Sequence, residues 1–494
     1  ERVSLFRKGV IGDPLFRAGR VQLTLSPRAW IRGDSALTAI HIQDAVWLPE
    51  QGRSECSSSS SSSSGGMQRP LRFKVVLDRC LVRDIMLEEA AFLLVGTRQA
   101  LEITEYEASV SQGLFEGSMS GQLSYDCAER VLSARFVTNF DPHILQPLCQ
   151  KGGLVFCEEL IKRFRFDGEP PRGEWGFDYH MSGEGSIHVT GDFRMRDCAY
   201  RDVDLLRADG SITVDLHEAG LDIDMHNLFL VRREGMASLA FSVDPQEKLV
   251  EFNVDSSIEP LAAWRMVGIL TNLFSQHIVF DGAATYVGGG VVDYSETYAA
   301  TDLKAVIEAD HVNVWPIGCD RGSLNLRMLG RSLSLTNINA HVNGGATSGD
   351  VLLTIPVRDK TAFSMPYRVN VKSRDVDFER FMASVVKTDA KREYQGRLSG
   401  SLLLDGCYGD DHLKSLNGEG SVYVRDGRVF LLPLFGGFSR FMTRIIPGLD
   451  FVLRQSDLNT DFTIEDGLIE SRKVAVEGGV LSLKGDGSCQ IGGD

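Results

Sequence analysis

Two Asp/His groupings and nine cysteines are the residues whose types could do chemistry. Asp222, Asp224 and His226 stand at every second position. On a β-strand they share one face, an arrangement that could hold a cation, but the polar face of a strand is ordinarily solvated, and that reading is preferred. Asp410-Asp411-His412 falls in a Gly-bounded stretch and reads as a solvated loop. The cysteines, at 56, 80, 127, 149, 157, 198, 319, 407 and 489, include no Cys-x-x-Cys pair. A structural zinc site is therefore not expected. An odd, scattered set suits buried thiols acting as small hydrophobes, with one or two disulfides as the alternative. Neither a Gly-x-Ser-x-Gly elbow nor a Gly-x-x-x-x-Gly-Lys-Ser/Thr phosphate loop occurs. With no convergent acid–base set, the expectation is a chain that is not an enzyme and needs no cofactor or metal.

The elements that would position these residues are mostly strands. Ile212, Val214 and Leu216 alternate with Thr213, Asp215 and His217, and Leu324, Leu326 and Met328 repeat the pattern. Such a period of two marks strands with one apolar and one wet face. Asp209-Gly210, Asn343-Gly344-Gly345, Asp426-Gly427 and Asp466-Gly467 read as hairpin turns. The 50 Gly and 15 Pro fit that picture, because proline cannot donate to a sheet ladder. Helical spacing is confined to Leu154–Phe164, Leu261–Phe274, Val376–Val386 and Leu434–Ile446. The last carries Phe435, Phe438, Phe441, Met442 and Ile445 on one side and Arg440 and Arg444 on the other. It suits a helix that gates a groove or lies on a membrane surface, or an ordinary core-covering helix. Eight serines at 57–64, followed by Gly65-Gly66, form a loop that cannot bury apolar surface.

The helices recur. Asp141, Glu259 and Asp377, just ahead of the first three, are 118 residues apart at each step. Phe166-Asp167-Gly168, Phe280-Asp281-Gly282 and Tyr394-Gln395-Gly396 follow them. The expectation is a mainly β chain of antiparallel repeats with short amphipathic helices between them. The divisions fall at 1–140 (with the serine loop at 56–66), 141–258, 259–376 and 377–494. The chain opens on Glu and stops within a strand-like pattern, so it reads as an excised piece with truncated end repeats. No apolar run reaches the roughly 18–20 residues of a spanning helix. The acidic balance, 52 Lys+Arg against 67 Asp+Glu for a net charge of −15, gives no basic footprint for nucleic acid. Periodicity alone leaves two coverings for the apolar face: a second sheet, or a curl that makes the face a groove suited to acyl chains.

Leu416–Val429, Leu432-Pro433-Leu434 with the helix after it, Asp461–Ile469 and Val480–Gly487 together resemble the C-terminal region of AsmA-like proteins, the superfamily that includes the TamB and YhdP types. The resemblance is sharpest over 390–494 and loosens toward residue 70. It implies elongated, curled β-sheets with a hydrophobic interior, a groove logic shared with bridge-like lipid-transfer proteins. It also implies an inner-membrane anchor, a periplasmic location, and a role in phospholipid transport toward the outer membrane and outer-membrane assembly. The implied partners are phospholipid acyl chains, the membrane and outer-membrane assembly proteins. On this reading Ile212, Val214, Leu216, Leu324, Leu326, Val422 and Val424 are lipid contacts. The competing expectation is a structural or adhesive β-repeat protein with a packed, dry core.

Overall fold

The computed structural model describes residues 3–5, 16–32, 35–47, 71–82, 84–97, 99–152, 155–181, 185–217, 220–267, 278–314, 316–356, 364–385, 395–409, 412–427, 456–479 and 482–491. The serine run and the helix expected at 434–446, with its five apolar and two arginine positions, lie outside the described residues. The chain divides into two units, 1–233 with 238–246 and 234–237 with 247–494. Both are mainly β with a few short helices, the class that the period of two predicts.

In the first unit β1 (Val3–Leu5), β2 (Phe16–Leu25) and β3 (Leu37–Trp47) pair antiparallel, with α1 (Pro27–Ile31) between the last two. β3 then pairs parallel with β4 (Leu71–Val82), a departure from the all-antiparallel expectation. A parallel return needs a connection of about a dozen residues or more, and the stretch 48–70 supplies the length. The meander continues through β5 (Ile85–Gly96), β6 (Ala100–Gln112), β7 (Phe115–Asp126) and β8 (Val131–Phe140). A 3-10 turn at Pro142–Leu145, α2 (Gln146–Gly152), α3 (Val155–Lys162) and the short β9 (Phe164–Phe166) follow. β10 (Arg172–His180) comes back to pair with β8, and β11 (Ser186–Tyr200), β12 (Val203–His217) and β13 (Gly220–Val231) extend the sheet. β9 pairs only with the last residues of β11. The division between units falls at β14 (Met236–Asp244).

The second unit repeats the scheme. β15 (Leu249–Ser256) leads into α4 (Pro260–Val267) and the short β16 (Ile278–Phe280). β17 (Ala284–Asp293) returns to pair with β15, and β16 pairs with the end of β18 (Asp302–Val314). β19 (Ile317–Leu329), β20 (Ser332–Val342), β21 (Gly345–Thr354) and β22 (Met365–Asp377) follow in order. After α5 (Phe378–Val385) come β23 (Arg397–Tyr408), β24 (Asn417–Gly427), β25 (Ser456–Glu465), β26 (Leu468–Gly478) and β27 (Ser482–Gln490), each antiparallel to the last. Between α4 and α5 an even number of long strands, β17 to β22, passes back and forth. The chain therefore leaves at the same edge after β15, after β22 and again after β24.

Local chemistry explains the helix starts. Asp141 caps the 3-10 turn by accepting from the His143 N–H at 2.9 Å, with Pro142 at the first position. Asp377 accepts from the Arg380 N–H at 3.1 Å at the head of α5. Asn343-Gly344 and Asp466-Gly467 each place two consecutive residues at positive φ, the requirement of a type I′ hairpin. The other two Asp-Gly pairs are not turns. Asp209-Gly210 lies inside β12 at a register shift, and Asp426-Gly427 ends β24, with Gly427 still opposite Ser456. Asp426, at φ 52, is a bulge residue. A residue that tolerates the left-handed region serves a bulge as well as a hairpin, so the dipeptide does not separate the two.

Such bulges recur in register. In the second unit His311, Asn337, Asp375 and Asp426 take φ of 50, 52, 55 and 52 in β18, β20, β22 and β24, four strands that run toward the helix-bearing edge after β15. In the first unit Arg79, Glu105, Asp197 and Asn227 do the same in β4, β6, β11 and β13.

Candidate functional site

The candidate site is one face of each sheet. In the second unit Val254 stands opposite Gly288, Gly288 opposite Ala305, Ala305 opposite Leu326 and Leu326 opposite Leu335. The row runs on through Val351, Val369, Leu404 and Gly418 to Ile464. In the first unit Phe73, Leu94, Ile103, Leu123 and Ala134 make the corresponding row. Phe177, Val189, Val214 and Ile223 continue it. Directly opposed residues share a face, so each row is a band of apolar side chains running across the strands.

Burial along these rows is partial. In the second unit every residue from Val254 to Gly418 is partly exposed and only Ile464, at 5% exposure, is buried; in the first-unit row only Ile223, at 6%, is buried. In a sandwich core such residues would be covered by the opposite sheet. Full burial is concentrated instead near the helices, with a small buried cluster of Ala18, Ala45 and Cys80 among β2, β3 and β4 besides. Phe378 of α5 packs with Val424, Leu458 and Val476, and Met382, Leu398 and Val422 lie against that cluster. α5 also comes close to β19, so it lies across the apolar face. In the first unit Ile144 of the 3-10 turn packs with Ile85, Val110 and Phe140. Ile144, Ile258, Val376, Val424 and Val476 are among the largest side chains with under 2% exposure, and all lie at or beside these helix-bearing ends. Each sheet thus has a dry end and a half-open apolar middle.

Glycines and aromatics share the open face. A Cβ on Gly173 or Gly191 would collide with the Trp175 ring, one on Gly210 with Phe193, one on Gly406 with Tyr367 and one on Gly420 with Phe462. The rings lie flat across the neighbouring strand in the space that glycine leaves. Trp175 is anchored by its Nε1–H, which donates to Thr138 Oγ1 at 3.0 Å. Cys198, 2% exposed near the helix end of β11, has its thiol pushed up to about 11 by burial. Among the described residues all the cysteines are free thiols.

The seven sequence-selected apolar residues distribute unevenly. Ile212 lies beside Gly191 and Met225, Val214 beside Val189 and Ile223, and both are partly exposed. Leu216 is 41% exposed near the strand end. Leu324 opposes Ile307, and Leu326 lies in the central row. Val422 is partly exposed at the margin of the α5 cluster. Val424 differs: at 0% exposure it is sealed beneath Phe378, so it packs the dry end and does not line the open face. Alternation distinguishes the two faces of a strand but carries no information on where along it a helix lands. Phe136, Trp175 and Phe193 share this face without belonging to the alternating apolar sets, and each stands directly opposite a glycine, Gly121, Gly191 and Gly173.

The polar face carries the Asp/His groups. Asp178, His188, Asp215 and Asp222 form a cross-strand row over β10 to β13. His188 Nδ1 is 2.5 Å from Asp215 Oδ1, and His217 Nε2 is 3.0 Å from Asp222 Oδ2. Asp224 and His226 lie opposite Thr213 and Ser211. Among the described residues no three His, Cys, Asp or Glu side chains are placed to hold a metal ion. His412 lies near the Tyr408 ring, while Asp410 and Asp411 fall outside the described residues. No described helix is long and apolar enough to cross a membrane.

No protein-family model matches the chain, and no curated protein matches it at a significant level.

Proposed function

We propose that the chain handles lipid without catalysing a reaction, its half-open apolar sheet faces receiving acyl chains. The observation that carries this reading is the pair of cross-strand apolar rows that no second layer of described residues buries. A methylene moved from water onto such a surface gains up to about 0.8 kcal/mol, so a long chain lying along a row is held without a specific headgroup contact. Flat aromatic rings over glycines keep the face smooth, which suits a mobile ligand more than a fixed one. The resemblance to AsmA-like proteins belongs to the same proposal. So do a periplasmic location beside an inner-membrane anchor, phospholipid movement toward the outer membrane, and outer-membrane assembly proteins as partners.

Lipid extraction and native mass spectrometry on the purified chain provide the test. Phospholipid should co-purify, and Ile212→Glu combined with Leu326→Glu should reduce the bound amount while the far-UV circular dichroism is kept. No co-purifying lipid, together with no uptake of a fluorescent phospholipid, would overturn the proposal in favour of a structural β-repeat protein.

A further inference from the structure

A basic recess stands in the first unit where α3 gives way to β9. Lys162 ends the helix, Arg163 and Arg165 flank Phe164, and β9 pairs with the end of β11. The Arg201 N–H donates to the Arg163 carbonyl at 2.9 Å. Arg201 and Asp202, at φ 48 and 60, form the tight turn from β11 into β12 and fix the position from which the Arg201 side chain projects. The cavity between these segments has a volume of about 360 Å³ and is lined by Lys162, Arg163, Arg165 and Arg201 with one carboxylate, Asp202.

Two of the four cations are already engaged. Lys162 pairs with Glu158 at 2.6 Å and Glu159 at 3.4 Å. Arg165 pairs with Asp167 at 2.9 Å and Asp204 at 3.4 Å, with Asp202 at 4.0 Å. Among the described residues no carboxylate pairs with Arg163 or Arg201. Arg201 instead lies 5.9 Å from the centre of the Tyr200 ring. Tyr200 is braced by Phe164 at 4.7 Å, and Phe164 stacks on Phe166 at 5.7 Å. In a chain of net charge −15, two guanidinium groups that no described carboxylate neutralises thus meet in a concavity beside an aromatic wall.

We infer that this recess binds a phosphate-bearing anion, with Arg163 and Arg201 as its principal ligands. A phosphate group accepts paired N–H bonds from guanidinium groups and fits the volume. Phe164 and Phe166 oppose Tyr200 and Cys198, so the aromatic wall joins the apolar face of β11. The choice of a lipid headgroup as the source of the phosphate rests on the lipid-handling reading, whereas anion binding itself does not.

The test uses the whole chain and its Arg163→Ala/Arg201→Ala variant, with inorganic phosphate and two vesicle preparations as probes: phosphatidylcholine alone, and phosphatidylcholine doped with phosphatidic acid. The variant should bind phosphatidic acid vesicles about tenfold more weakly than the unaltered chain, as expected for lost charge-assisted bonds. An Arg163→Lys/Arg201→Lys variant should recover part of the loss and control for folding. Inorganic phosphate that competes with the vesicles supports a headgroup source, and phosphate binding with no vesicle binding supports a free-phosphate source. Equal binding by variant and unaltered chain, or no binding of either anionic probe, overturns the inference. Uptake of a fluorescent phospholipid by the same variant is read separately, so that the recess and the apolar face stand or fall independently.

Discussion

Trp175 lies flat because Gly173 and Gly191 flank it without a Cβ, and this explains a composition that turns alone do not. Glycines also sit mid-strand at 210, 406 and 420, each beneath an aromatic ring. An aromatic that covers a cross-strand glycine restores packing at the point where the glycine weakens the strand. Gly191→Ala should therefore displace the indole and destabilise the first unit by about 1–3 kcal/mol, the usual cost of overpacking. Urea unfolding followed by tryptophan emission measures both, and an unchanged midpoint and spectrum would show that the ring is not held by this gap.

At the scale of elements, the bulges and the helices act together. Each bulge bends its strand and raises the local twist near the edge where the chain leaves for a helix. Asp375 shows how the sequence specifies one. It holds φ 55 two residues before the cap Asp377, and its N–H donates to Ser399 Oγ at 3.0 Å. Its 3.5 Å pair with Arg425 is more than half exposed on both sides and adds little. Asp375→Val forces a β-branched residue into the left-handed region and should cost about 1–2 kcal/mol more than Asp375→Gly. Both variants lose the ion pair, so their difference in chemical denaturation isolates the backbone conformation. Equal stabilities would mean that the strand straightens without penalty.

Across the molecule, burial is divided between dry helix-covered ends and half-open middles. Two truncations within the second unit compare them. Phe378→Ala opens a cavity in a closed cluster and should cost about 3–5 kcal/mol, whereas Leu326→Ala should lose only part of its transfer free energy, about 1–2 kcal/mol. Guanidinium unfolding of the two variants checks the ordering, and equal losses would mean that the central row is packed as tightly as the ends. The strands and the acidic helix starts were legible in the sequence because alternation and Asp caps are local signals. Strand neighbours were not, and they alone align Val254 with Leu326 and Leu404 in one row. Neither was the contrast between Val422 and Val424, since a period of two places both on the same face and only the landing of α5 separates them. The even strand count between α4 and α5 has a consequence for ancestry. A gene segment encoding a helix and the even run of long strands after it can be copied in tandem, and each copy will present its helix on the side already used. Copying an odd number of strands would put the next helix on the opposite side. Duplication in whole blocks is thus a route by which such a ladder can lengthen without redesign of its junctions.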